Sequence, residues 1–198
     1  LSSVVPAKEK GPQQDDSSFV TEIREYSSDA ENIFAEALND IDNVKSPFFH
    51  WIHVFPPNPH AAKPGYSFAP KPFLYTYFSG EVPLDAEIWD NGQYPLSRQA
   101  DVDKIRARYD ESILYVDNAL RNFIEELKIR GLFDNSIVII SSDHGESFEK
   151  GWRGHAKENL FEPVIHIPLL IHLPNQNVHK KVVALAEQVD LAPTILDL

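Results

Sequence analysis

The chain has 198 residues, 42% of them hydrophobic, and carries a formal net charge of -12. That length supports one domain with a real core, and the acidic balance excludes nucleic acid as a partner, because phosphate backbones need Lys and Arg. With no cysteine, neither a disulfide framework nor a Cys-based zinc site is available. A small anionic substrate stays open, since a local pocket of cations and metal can oppose the sign of the whole surface. No apolar run approaches the ~20 residues of a membrane span, so no membrane anchor is visible, and no signal peptide opens the chain. The chain begins at Leu1 and contains no Met. It reads as a slice of a longer protein, with any export signal or anchor outside it.

Residues 1–18 are polar, with Lys8, Lys10, Pro12, Asp15 and Asp16 and few apolar anchors; they read as a loop or frayed terminus, and the domain proper as 19–198. Ser28 offers a helix cap with Glu31 three residues on, and Ile33, Phe34, Ala37, Leu38 and Ile41 follow at helical spacing up to Asn43. Residues 48–55 read as a buried strand. Prolines crowd 56–98, so regular structure is not expected there; a loop this long suits a lid or substrate wall. Its aromatic part, from Tyr66 to Tyr94 and including Trp89, reads either as a pocket wall or as a surface flap.

Ile105, Tyr109, Ile113, Val116, Leu120, Phe123 and Leu127 then recur at steps of four or three, the stripe of a long helix, and Gly131 suits its C-terminal cap. Ile137, Val138, Ile139 and Ile140 form a continuous β-branched run, the pattern of a strand buried on both faces in a parallel sheet. Residues 142–163 read as a polar loop, 165–173 as another strand, and a short helix is expected near Pro193. Alternating helices and buried strands define an α/β three-layer sandwich around a mainly parallel sheet.

Three clusters carry chemistry. Ser141-Ser142-Asp143-His144-Gly145-Glu146 directly follows a buried strand, where ligands collect in open α/β sheets. Asp143 and His144 there offer a carboxylate and an imidazole to one divalent cation; a solvated turn with Asp143 as a helix cap is the plain alternative. Gly154-His155-Ala156-Lys157 supplies two hydrogen-bond donors for an oxyanion, one with fixed charge, or else an ordinary surface Lys and His. His50 and His53 read as core histidines of the 48–55 strand. His60 follows Pro59 in a rigid loop, which suits a general acid beside a leaving oxygen or simply a loop histidine.

In this order and context, the clusters resemble the sulfatase family of the alkaline phosphatase superfamily. The segment from Pro47-Phe48-Phe49 to Pro59-His60 is similar to the family's strand ending in Pro-His. The stretch from Tyr109-Asp110 to Gly131-Leu132 resembles its Tyr-x-x-x-(Ile/Val)-x-x-x-Asp helix, with Asp117 at the Asp position. Asn135 to Glu146 resembles the strand leading into Ser-Asp-His-Gly-Glu. Lys157 to Ile171 resembles Lys-x-x-Leu-Tyr-Glu…Val-Pro-Leu-Ile-Ile, with Phe161 in place of Tyr. Val189-Asp190-Leu191-Ala192-Pro193-Thr194 matches a family segment closely.

The resemblance implies an alkaline phosphatase-like fold with its N-terminal portion missing, and hydrolysis of small-molecule or saccharide sulfate esters through a covalent sulfated intermediate. It implies Asp143 and His144 as ligands of a divalent metal, Ca2+ first and Mn2+ or Zn2+ as alternatives. Lys157 would contact the sulfate and the nucleophile, His60 the leaving-group oxygen, and His155 the sulfate. Periplasmic, secreted or membrane-anchored relatives leave the compartment unassigned. The Cys/Ser-x-Pro-x-Arg motif that yields formylglycine is absent; Pro95-Leu96-Ser97-Arg98 has its proline misplaced. The nucleophile is therefore expected in the missing N-terminal part, and the 198-residue chain alone is expected to be inactive. Two rivals accompany this reading. One is a phosphoethanolamine or phosphoglycerol transferase, or a phosphodiesterase, of the same superfamily. The other is a non-catalytic binding domain on this fold.

Overall fold

A computed structural model of the chain describes residues 29–57, 69–82, 88, 92–155 and 160–198; the polar stretch 1–18, Ser28, His60, Trp89 and Lys157 lie outside them. The first helix, α1, spans Ala30–Asn43 and ends where its apolar spacing predicts. Asp29 caps it: its backbone is extended and its carboxylate accepts the Asn32 N–H at 3.0 Å, which satisfies one of the orphan donors of the first turn.

The long helix, α2, spans Gln99–Ile129. Gly131 closes it with φ of 66°, its N–H donating to Lys128 O while the Leu132 N–H reaches back to Leu127 O, both at 2.9 Å. This paired geometry needs a left-handed residue just past the helix, hence glycine. The buried row of α2 runs through Val102, Ile105, Arg108, Ser112, Tyr115, Ala119, Phe123 and Leu127. It departs from the expected stripe at Ile113, which is 44% exposed. The reason is that two charged residues, Arg108 and Glu111, take places in the seam that an apolar pattern does not reveal. Arg108 and Glu111 pair at 2.8 Å. Arg108 also donates to Phe78 O and Gly80 O at 2.5 and 2.6 Å. Glu111 accepts the Tyr77 and Phe78 N–H groups at 2.9 and 3.2 Å.

Two cores result. In the first, Ala30, Phe34, Ala37 and Ile41 of α1 meet Tyr115, Ala119, Phe123 and Leu127 of α2, with the Phe34 and Phe123 rings stacked at 5.0 Å. In the second, Ile88 and Tyr94 meet Val102, Ile105 and Phe148. Hydrogen bonds from the Tyr94 hydroxyl and the Gln99 amide to Phe148 O, at 3.2 and 2.8 Å, tie the loop to the start of α2.

The described strands are short: β1 (Gly92–Gln93), β2 (Val138–Ser141), β3 (Ser147–Glu149), β4 (Trp152–Gly154) and β5 (Leu169–His172). They form a three-stranded sheet in the order β1-β4-β3 and a two-stranded sheet β2-β5. Every pair is antiparallel, with Val138 opposite His172 and Ser141 opposite Leu169 in the second sheet. The mixed α/β class is as expected, whereas the parallel pairing expected for β2 does not occur among the described residues. Nor is β2 buried on both faces; it is half-buried and its partner β5 exposes Leu169 at 40% and Leu170 at 55%.

Three further expectations are corrected. Residues 48–55 form no strand. Ile52 and Val54 pack onto the first core while Trp51 is 69% and Phe55 49% exposed, so the alternation of a strand is there without a described ladder partner. The strand expected over 165–173 is shortened to β5, because Glu162–Ile165 forms a helical turn, α3, with Pro163 in its first turn. The loop expected over 142–163 contains the β3–β4 hairpin, turned by Lys150 and Gly151 with φ of 57° and 75°; two consecutive positive φ values match the twist of the flanking strands. Residues Leu191–Asp197 form the expected C-terminal helix, α4. Among the described residues no helix is long and apolar enough to cross a membrane.

Candidate active site

The chain leaves the carboxyl end of β2 and enters the Ser142–Glu146 loop before β3 begins. Local hydrogen bonds shape this loop. Ser141 Oγ donates to Pro168 O at 2.9 Å and Ser142 Oγ to His144 O at 2.6 Å. The Gln188 amide donates to both Ser142 O and Asp143 O at 2.8 and 2.9 Å. The Gly145 N–H donates to Val164 O at 2.7 Å, drawing the loop onto α3. That approach requires glycine: a Cβ on Gly145 would sit 2.1 Å from Pro163 O, a backbone atom that cannot swing aside. Gly145→Ala is therefore expected to destabilise the protein by about 1–3 kcal/mol and to displace His144. A denaturant midpoint and metal content unchanged from wild type would refute this.

Asp143 and His144 present their side chains together. His144 Nδ1 lies 2.9 Å from Gly145 O. A carbonyl only accepts, so Nδ1 carries a proton, and in the neutral ring Nε2 holds the lone pair. That Nε2 lies 3.6 Å from Asp143 Oδ2, the spacing of two donors able to share one ion. The Asp143 side chain is 67% and that of His144 32% exposed, so both face the open side. His155, delivered by the end of β4, stacks on His144 with ring centroids 3.8 Å apart and planes 22° apart. Its Nδ1 meets Glu146 Oε2 at 2.6 Å. His144, Glu146 and His155 each bring one donor atom within 4.8 Å of the others, a group able to hold a metal ion.

Beside these residues lies a pocket of about 270 Å³ lined by Asp143, His144, Glu146, His53, Phe55 and Tyr109, among others. The structure thus brings Asp143, His144 and His155 together and joins the 48–57 segment to them. His60 and Lys157 lie outside the described residues. Asp117 stands apart, exposed and paired with Arg121 at 3.6 Å.

Sequence reasoning missed three pocket residues. His53 is exposed rather than a core histidine, and the alternation of residues 51–55 was the signal for its outward face. Tyr109 looked like one more member of the helical stripe. Burial first, and then the negative charges of Glu146, Asp110 and Asp143, push its phenol up to about 12, so it meets the pocket as a neutral hydroxyl. Glu146 stood within the acidic motif without an assigned partner.

A model of the sulfatase family matches residues 5–198, and the chain belongs to that family. It therefore takes an alkaline phosphatase-like α/β fold. Among the relatives, arylsulfatase K of Bos taurus is 34% identical over 100 residues, 50% of this chain and 18% of that protein. Arylsulfatase K of Xenopus laevis is 27% identical over 177 residues, 79% of this chain and 33% of that protein. An endo-4-O-sulfatase of Bacteroides thetaiotaomicron is 32% identical over 90 residues, 46% of this chain and 18% of that protein. The matched parts thus span a third or less of the length of these relatives.

Proposed function

We propose that the protein to which this chain belongs hydrolyses sulfate esters of small molecules or saccharides. The observation that carries this reading is the placement of Asp143 Oδ2 and His144 Nε2, 3.6 Å apart, in the lining of a pocket and beside the His155 ring. Membership of the sulfatase family and relatives named as arylsulfatases and a 4-O-sulfatase support the substrate class. In this reading β2 and β5 belong to a larger, mainly parallel sheet sandwiched by helices, whose packing covers the apolar faces of Leu169, Leu170 and Ile171.

The donor set fits a divalent cation. His144 is held in the tautomer that leaves Nε2 as the ligand atom, by a backbone carbonyl of its own loop. Asp143 adds an oxygen and a charge. The stacked His155 cannot point its in-plane lone pair at the same ion without turning its ring, so Asp143 and His144 are the assigned ligands rather than the His144–Glu146–His155 group. A bound cation would neutralise sulfate oxygens and lower the cost of forming an anionic nucleophile. The carboxylate favours calcium, with manganese or zinc the alternatives for the imidazole. A formylglycine nucleophile is assigned to the protein outside this chain.

The chain's own groups do the rest. Lys157 donates to the sulfuryl oxygens as charge develops on them, as does His155 from Nε2 once its ring carries a second proton, and His60 donates to the departing alcohol oxygen. Lys157→Ala in the complete protein is expected to slow every ester alike. His60→Ala is expected to cost most with poor leaving groups such as alkyl sulfates, by about 10²–10⁴-fold, and least with activated aryl sulfates. Turnover measured over esters of graded leaving-group acidity tests this; equal losses across the series would remove His60 from the proton-donor role. Faster turnover of phosphodiesters than of sulfate esters by the wild type would overturn the substrate class.

A further inference from the structure

We propose that Glu146 is a positioning residue, which holds the His155 ring by its Nδ1 and so fixes the direction in which His155 meets the substrate. The inference rests on the sulfatase reading of this site and deepens it. Glu146 is the most enclosed member of the cluster: its side chain is 2% exposed, against 18% for His155. A carboxylate sealed in this way is costly unless strongly hydrogen-bonded, and the 2.6 Å contact with His155 Nδ1 is such a bond. Because the carboxylate accepts, Nδ1 donates, and Nε2 is turned to the opposite edge of the ring. The His144 ring, 3.8 Å away and 22° from parallel, closes one face of the imidazole. One bond at Nδ1 and one stacked face leave the ring little freedom to rotate.

The backbone explains why the two residues meet. Glu146 immediately precedes β3 and His155 immediately follows β4, and the hairpin pairs Ser147 with Gly154. Both residues therefore leave the same end of one hairpin, one position beyond its last pair. The tight turn at Lys150 and Gly151 sets that register, so the spacing of nine residues between Glu146 and His155 follows from the hairpin itself.

A group that orients another through one hydrogen bond is worth about 10–100-fold in activity. In the complete protein, Glu146→Ala is expected to lower kcat by that factor with a smaller change in KM, since the orientation of His155 matters most as charge develops. Glu146→Gln keeps an acceptor oxygen and is expected to recover most of the loss. The decisive readout is the double variant. If Glu146 acts through His155, neither Glu146→Ala nor Glu146→Gln lowers kcat further once His155→Ala is present. Ring ¹⁵N spectra of the histidine-labelled protein, with the His155 signal identified by its loss in His155→Asn, are expected to show the Nδ1–H form in wild type and a mixture of forms in Glu146→Ala. Equal losses from Glu146 substitutions with and without His155 would overturn the proposal, as would an unchanged His155 spectrum in Glu146→Ala. Should Glu146→Ala fail to fold, the same comparison with Glu146→Leu, which fills the space but offers no acceptor, decides. If His155→Ala itself leaves turnover intact, the role of His155 in the sulfatase reading fails and the inference falls with it; if only the Glu146 effects fail, that reading stands.

Discussion

Asp143→Asn is expected to strip the divalent cation from the complete protein and to lower turnover by more than the roughly 10–100-fold typical of a lost outer-shell partner. The substitution is informative because it changes so little else. Asp143 Oδ1 accepts the His144 N–H at 3.0 Å, and an asparagine carbonyl can accept the same bond. The loop is anchored through main-chain groups: Gln188 grips the Ser142 and Asp143 carbonyls, and Gly145 is fixed to Val164. At 67% exposure the Asp143 side chain contributes little to packing. What disappears is one negative charge next to His144 Nε2. Metal content by mass spectrometry and turnover should therefore fall together, while the unfolding midpoint measured without metal stays near that of the wild type. Unchanged metal content and turnover would remove Asp143 from the ligand set.

The position of the Asp143–His144 pair was more legible in the sequence than the sheet. Asp143 and His144 follow a β-branched run, and the structure does place them just past the end of β2, lining one pocket. The two principal helices were legible for a related reason: their apolar spacing is long enough to average over exceptions, and Gly131 marks an end that requires positive φ. The β2 partner was not legible, because four apolar β-branched residues specify burial and extension but carry no sign of strand direction. The β3–β4 hairpin was missed because its turn residues, Lys150 and Gly151, include only one of the types that favour such turns, and its strands are three residues each. With that hairpin went the contact between Glu146 and His155, which local spacing alone cannot reveal. The Arg108–Glu111 pair stayed hidden too, since charged residues on a long helix are ordinarily assigned to its solvated face.

That pair should dominate the stability of the segment 75–80, whose backbone it holds. Arg108→Met is expected to cost about 3–5 kcal/mol, the range for removing one partner of a buried ion pair. Arg108 is 3% and Glu111 0% exposed, so the surviving carboxylate would have no route to water. Arg108 also bridges the carbonyls of Phe78 and Gly80 and lies over the Tyr75 ring at 4.7 Å, and these contacts would go with it. Replacing both partners by apolar residues often restores stability at buried pairs. Here it should not, because Glu111 also satisfies the Tyr77 and Phe78 N–H groups, and an Arg108→Met/Glu111→Leu variant would leave four backbone groups without these partners. The pH dependence has a definite sign. Burial alone would raise the Glu111 carboxyl, but hydrogen bonds from the Tyr77 N–H, the Arg108 guanidinium and the Phe78 N–H outweigh it and hold the group below the usual glutamate range. A carboxyl depressed by folding adds stability above its unfolded value, and that stability drains away as pH falls through the folded one. Denaturant unfolding of the complete protein from neutral pH into the acid range should therefore show wild type losing more stability than Glu111→Gln, so that the two curves converge. A constant gap between them down to acid pH would show that the carboxylate charge contributes nothing here, and a full recovery by the apolar double variant would show that the backbone groups do not depend on it.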